Sequence, residues 1–265
     1  MKSINKFANK LCYNPGMWPD AVELNEFYRR PLGGVARRMI QRRIRETWPD
    51  LRGMSLLGLG YATPYLQSYQ GEAARVLAAM PAQQGVIPWP KGRSGLVTLT
   101  DSGNLPFDDL SIDRLLMVHA VEHGEQVSAM MREAWRVLSA SGRILIVVPN
   151  RRGIWARLER TPFGQGLPYT NRQARRLLQD GLFSPVDSSR ALYIPPSRWR
   201  FILSSAPAVE RIGNRLFPSF SGVLLIEAIK QIYGAAPTAS VARARRKLVV
   251  IPGNAASACS AVEVN

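Results

Sequence analysis

The chain has 265 residues, 46% of them hydrophobic, and a formal net charge of +16. That length and apolar content suit one sizeable α/β domain with terminal additions. The only two cysteines, Cys12 and Cys259, lie near opposite ends and form no C-x-x-C pair, so neither a disulfide framework nor a cysteine-built zinc site is suggested. No apolar run reaches the roughly 18 residues of a membrane span, and the basic stretch Met1–Lys10 lacks the apolar segment of a signal peptide. A reducing, cytoplasmic setting is the expectation.

The charge is unevenly placed. Residues 1–52 carry 11 basic and 5 acidic side chains, residues 53–150 carry 7 and 8, and residues 151–265 carry 17 and 6. The centre is therefore neutral and the flanks are basic. Such flanks suit nucleic acid or an anionic surface, or simply a solvated arginine-rich exterior.

In chain order, residues 19–48 read as helical. Asp20 offers a cap, and Ala21, Leu24, Phe27 and Tyr28 share one face. Pro31 breaks the run. A second helix then aligns Val35, Met39, Ile40 and Ile44 opposite Arg37, Arg38, Arg42, Arg43 and Arg45, making a basic amphipathic helix. From residue 54 strands and helices alternate. Strands are predicted at Met54–Leu59, Arg75–Met80, Leu96–Leu99, Asp113–Val118 and Arg143–Val148. Helices are predicted at Thr63–Gln70 and Val127–Leu138, and Ser141-Gly142 reads as a turn. This alternation predicts a parallel sheet covered on both faces, with ligands beyond the carboxyl ends of the strands. Beyond Asn150 the spacing predicts a helix over Asn171–Gln179, loops over 181–200 and a last strand over Gly222–Ile232. The expected organisation is a basic helical extension (1–52), a domain over 53–233 and a flexible tail over 234–265.

The run Leu56-Leu57-Gly58-Leu59-Gly60-Tyr61-Ala62-Thr63 places small residues between a strand and a helix, where backbone can approach a ligand. Alone, such glycines are as well explained by a tight turn. A second block is more telling. Asp101-Ser102-Gly103-Asn104-Leu105-Pro106-Phe107 precedes Asp113-Arg114-Leu115-Leu116-Met117-Val118-His119-Ala120-Val121-Glu122-His123. Arg136-Val137-Leu138, Gly142-Arg143 and Pro149-Asn150 follow in order. Over residues 54–150 this series resembles the type 11 family of class I S-adenosylmethionine (SAM)-dependent methyltransferases.

The resemblance implies a Rossmann-like, doubly wound, mostly parallel seven-stranded sheet, SAM as cofactor, and an unidentified methyl acceptor. It implies that Gly58, Gly60, Tyr61 and Ala62 form the loop around the methionine part of SAM, with Met80 at the end of the second strand. Asp101 would accept from the adenine amino group with Ser102 beside it, and Leu105 would pack near the adenine. His119 would line the pocket near the methyl group, as a candidate base. The chain departs from the family at three points. Gly58 stands for an acidic residue, Ala62 and Pro64 stand for glycines, and Ala78-Ala79-Met80-Pro81 lacks the carboxylate that would hold the ribose. Those losses leave open a catalytically silent member that binds RNA or a partner through its basic flanks. His119, Glu122 and His123 also match the H-x-x-E-H pattern of inverted zinc peptidases. The methyltransferase pattern accounts for the same residues more economically. Tyr61, Trp155 and Tyr169 are candidate acceptor-site aromatics, and equally candidate core residues.

Overall fold

The computed structural model describes residues 18–232, except 91, 93, 94, 125 and 198. The expected flexible tail, Cys12 and Cys259 lie outside the described residues.

Helix α1 (Ala21–Arg29) starts where Asp20 Oδ1 accepts from Val22 N at 2.6 Å, and it buries Ala21, Leu24, Phe27 and Tyr28. Helix α2 (Pro31–Thr47) begins with proline, whose missing N–H costs nothing in a first turn. Arg30, held extended before that proline, makes the corner. Gly33 lets the helices close on each other, because a Cβ there would lie 2.0 Å from Phe27 O. The apolar stripe of α2 is buried, while Arg37, Arg38 and Arg42 face solvent.

Seven strands follow: β1 (Ser55–Gly60), β2 (Arg75–Pro81), β3 (Val97–Thr100), β4 (Ile112–Val118), β5 (Leu138–Pro149), β6 (Phe183–Ala191) and β7 (Val223–Lys230). They form one sheet in the order β3-β2-β1-β4-β5-β7-β6. The first five run parallel, and β7 lies antiparallel between β5 and β6. Side chains alternate between two cores. Leu56, Leu116, Leu145, Val147 and Leu225 pack with α1, α2 and α3 (Thr63–Leu66). Leu57, Leu115, Met117, Ile144, Ile146 and Ile226 pack with α4 (Val127–Val137) and α5 (Asn171–Asp180). The helical extension thus shares a core with the sheet.

Three expectations needed correction. The helix after β1 stops at Leu66 and tightens into a 3₁₀ turn over Gln67–Tyr69. Ser141-Gly142 makes no turn, since β5 runs extended from Leu138 and absorbs the irregularity in its pairing with β4. The loop-rich region holds β6, an edge strand whose register shifts at Pro185. After it come α6 (Arg200–Ser204) and α7 (Ala206–Leu216). Among the described residues, no helix is long and apolar enough to cross a membrane.

Candidate functional site

Strands β2, β1 and β4 are neighbours, so the residues that follow them meet at one edge of the sheet. In an open α/β sheet, that edge is where ligands bind. Gly60 ends β1 with φ of +79°, and a Cβ there would sit 2.4 Å from Val118 O, so only glycine fits. Gly58 is also crowded: a Cβ would lie 2.7 Å from both Ala62 Cβ and Leu66 Cδ1. That crowding explains why an acidic side chain has no room there. Ala62 and Met80 are fully buried. Tyr61 stacks on Tyr28 with ring centroids 5.7 Å apart, and burial pushes its phenol up to about 12.

Asp101 follows β3 and is exposed. Its Oδ1 accepts from Gly103 N at 2.9 Å, closing a turn with Ser102 inside it. Leu105 is buried, and Arg136 fixes the whole loop. Arg136 donates to Leu105 O and Phe107 O, each at 2.9 Å, and pairs with Asp109 and Glu133. The Arg136 guanidinium in turn holds Glu133 below the usual carboxylate range, and Glu133 accepts from Leu105 N.

His119, just past β4, is fully buried and has φ of +51°, an uncommon backbone for a residue with a side chain. Its Nε2 lies 2.8 Å from the Tyr28 hydroxyl, which also meets the Tyr65 hydroxyl at 3.0 Å. Its Nδ1 lies 3.2 Å from Glu122 Oε1. Burial alone would raise the Glu122 carboxyl, but His119 and His123 prevail and hold it below its ordinary value. Burial, chiefly, pushes the Tyr28 phenol well above its ordinary range. Residues 119–123 form a turn and not a helix, so the paired face of a zinc peptidase helix does not form. Trp155 is a core side chain whose Nε1 donates to Ile194 O at 2.7 Å, while Tyr169 is half-buried.

Two participants carried no sequence signal for this role. Tyr28 arrives from α1. Gln84 follows β2, is 1% exposed, and donates from Nε2 to His119 O at 3.1 Å. Because β1 lies between β2 and β4, the Gln84 side chain spans the tip of β1. Its Oε1 is buried with no hydrogen-bond partner.

Against SAM, this edge fits in part. Gly60 turns the chain at the end of β1, and the exposed carboxylate of Asp101 follows β3. The ribose position has no carboxylate, and Gln84, Tyr28 and Tyr61 close over the tip of β1.

The family described as a methyltransferase domain matches residues 57–146. Over that stretch, 90 of 265 residues, the chain is similar to this family. The described residues have the class I methyltransferase fold, as solved structures show. A SAM-dependent methyltransferase from Thermotoga maritima superposes with a TM-score of 0.58 at 15% identity, covering 79% of this chain and 95% of that one. Geranyl diphosphate C-methyltransferase from Streptomyces coelicolor A3(2), solved with S-adenosyl-L-homocysteine, gives 0.51 at 14% identity, with coverage of 71% and 78%. The cyclase SpnF gives 0.51 at 16% identity, with coverage of 83% and 100%. No curated protein matches the sequence.

Proposed function

We propose that the chain is a SAM-dependent methyltransferase acting on an acceptor still to be identified. The observation that supports this reading is that Gly60, Asp101 and His119 stand at the carboxyl ends of β1, β3 and β4, in the family's order. SAM supplies a methyl group already activated on sulfonium, so the protein's work is alignment and exclusion of water. The second oxygen of Asp101 accepts from the adenine amino group, and Ser102 and Leu105 border the ring. Gly58, Gly60, Tyr61, Ala62 and Met80 shape the floor. His119, buried behind Tyr28, is the candidate base once Tyr28 moves aside. Gln84 Oε1, buried and unsatisfied, takes the ribose in place of a carboxylate once the side chain releases His119 O.

A crevice of about 540 Å³ beside the loop after β1 is lined by Tyr28, Arg29, Arg37, Tyr61, Thr63 and Trp89, among others. Its two arginines and its aromatic walls favour an acceptor with negative charge and a flat apolar part. Calorimetry with SAM and with S-adenosylhomocysteine tests the reading. Both should bind, and Asp101→Ala should weaken both by about tenfold, the worth of one hydrogen bond of about 1.4 kcal/mol. Absence of heat and of thermal shift at millimolar ligand overturns it.

A second reading, a silent member of the fold, is favoured by Gln84 lying across the tip of β1 and by the missing carboxylate. The same fold carries a cyclase, so the fold alone does not decide the chemistry. In this reading the basic flanks do the work on a polyanion such as RNA. Arg37 and Arg38 are exposed and, among the described residues, make no ion pair, whereas Arg42, Arg43 and Arg45 are paired with Glu46 or Glu72. RNA affinity that falls steeply with salt would support it, and salt-independent or absent binding would remove it.

A further inference from the structure

The buried groups behind the tip of β4 carry an inference that does not rest on the methyltransferase reading. His119, Glu122 and His123 each offer one ligand atom, and these atoms lie within 4.8 Å of one another. All three residues are at most 3% exposed. His119 Nδ1 has only the Glu122 carboxylate beside it, at 3.2 Å, and Glu122 Oε2 is buried with no hydrogen-bond partner. Leaving a buried polar atom unsatisfied is costly, so this one calls for an explanation.

The tautomer of His119 sharpens the point. A neutral imidazole carries one proton, and its two nitrogens cannot both accept. With the proton on Nε2, the ring donates to the Tyr28 oxygen at 2.8 Å. Its Nδ1 is then free of the proton that otherwise bridges it to the Glu122 carboxylate 3.2 Å away, and a cation can take that proton's place between the two ligands. That separation is close to the roughly 3.3 Å expected between two ligands about 2.0–2.1 Å from one tetrahedral ion. The backbone is bent to make the meeting: His119 adopts φ of +51°, and the turn folds it back onto residues 122 and 123. Such strain persists only where surrounding structure imposes it. Gly166 packs the outer side, where a Cβ would lie 2.7 Å from Glu122 Cγ and 2.8 Å from His123 Cε1.

We propose that His119 Nδ1, the Glu122 carboxylate and a ring nitrogen of His123 hold a divalent cation of the zinc class. Two imidazoles and one carboxylate suit zinc or cobalt better than magnesium or calcium, which prefer all-oxygen shells. Tyr28 is the outer partner that a metal-bound histidine commonly has on its second nitrogen, and it fixes the ring's tautomer and orientation. Three protein ligands leave a fourth position for water or another small donor.

The test uses the full chain, stripped by dialysis against a chelator and kept free of SAM. Titration with Co²⁺ should give a visible absorption band that saturates at one equivalent and is displaced by Zn²⁺. Glu122→Gln, close in shape, should abolish the band. Tyr28→Phe, which leaves all three ligands in place, should weaken binding by about tenfold or more. A stripped wild-type chain that shows no band and binds less than one equivalent of Zn²⁺ overturns the proposal. So does a Glu122→Gln variant that binds as the wild type does. Because cofactor is absent throughout, this result and the SAM calorimetry fail independently.

Discussion

At Gly60 the site tolerates no side chain at all. Gly60→Ala would put a methyl group 2.4 Å from Val118 O on a residue held at φ of +79°. We expect a loss of about 2–4 kcal/mol, seen as a lower denaturant midpoint with an unchanged slope. A substitution that leaves the midpoint in place would show that β4 is not held against this turn. The sequence singles out Gly60, Asp101 and His119 because each stands at or just past a strand end, in a fixed order. It does not single out Tyr28 or Gln84 for the site. Tyr28 meets His119 across 91 residues of chain, and Gln84 meets it across 35. Neither periodicity nor local motif reports contacts made at that range.

Among the elements, the loop after β3 depends on α4. Arg136 ties two carbonyls of that loop to Glu133. Arg136→Ala should cost about 1–3 kcal/mol and loosen Asp101, weakening adenine-nucleoside ligands together with stability. Glu133 adds a pH signature. Its carboxyl is held below the ordinary value in the folded chain, chiefly by Arg136. Its contribution is therefore present above the unfolded pKa of about 4.3 and is lost as pH falls through the lower folded value. Chemical denaturation from about pH 6 to pH 3 should show a flatter acid limb in Glu133→Gln than in wild type, and parallel limbs would count against the assignment. The elements themselves were read well where period and flanking turns agreed, as in β1, β2, β4 and α4. Strand β6 was missed because an edge strand can be polar and can contain proline. Its Pro185, Asp187, Ser188 and Ser189 resemble a loop when read alone. The turn expected at Ser141-Gly142 failed for the opposite reason, because pairing with β4 overrode local preference.

For the whole molecule, the basic helical extension is part of the core and not an appendage. Its stripe packs with Leu56, Tyr65 and Leu116, and Trp48 Nε1 donates to Glu227 Oε1 on β7 at 2.9 Å. A chain shortened to begin at residue 53 should therefore expose part of one face of the sheet. We expect it to aggregate, or to bind a hydrophobic dye and lose its sharp thermal transition. A soluble shortened chain that melts cooperatively would show that α1 and α2 are dispensable. The sequence conveyed the stripe of α2 but not what it covers, since an amphipathic helix looks the same whether it meets a sheet, a membrane or RNA.

Helix α1 brings Tyr28 onto residues that follow both β1 and β4. Should the floor beneath that tyrosine be reached only by displacing it, a ligand must wait for the tyrosine and its helix to lift. Arrival would then be governed by the protein's own clock and not by how crowded the solution is. In stopped-flow mixing, the observed rate should climb with ligand concentration and then level off at the frequency of lifting. Removing the hydroxyl that anchors the helix, as in Tyr28→Phe, should raise that ceiling. A rate that keeps rising in proportion to concentration would mean the floor is reached by another route.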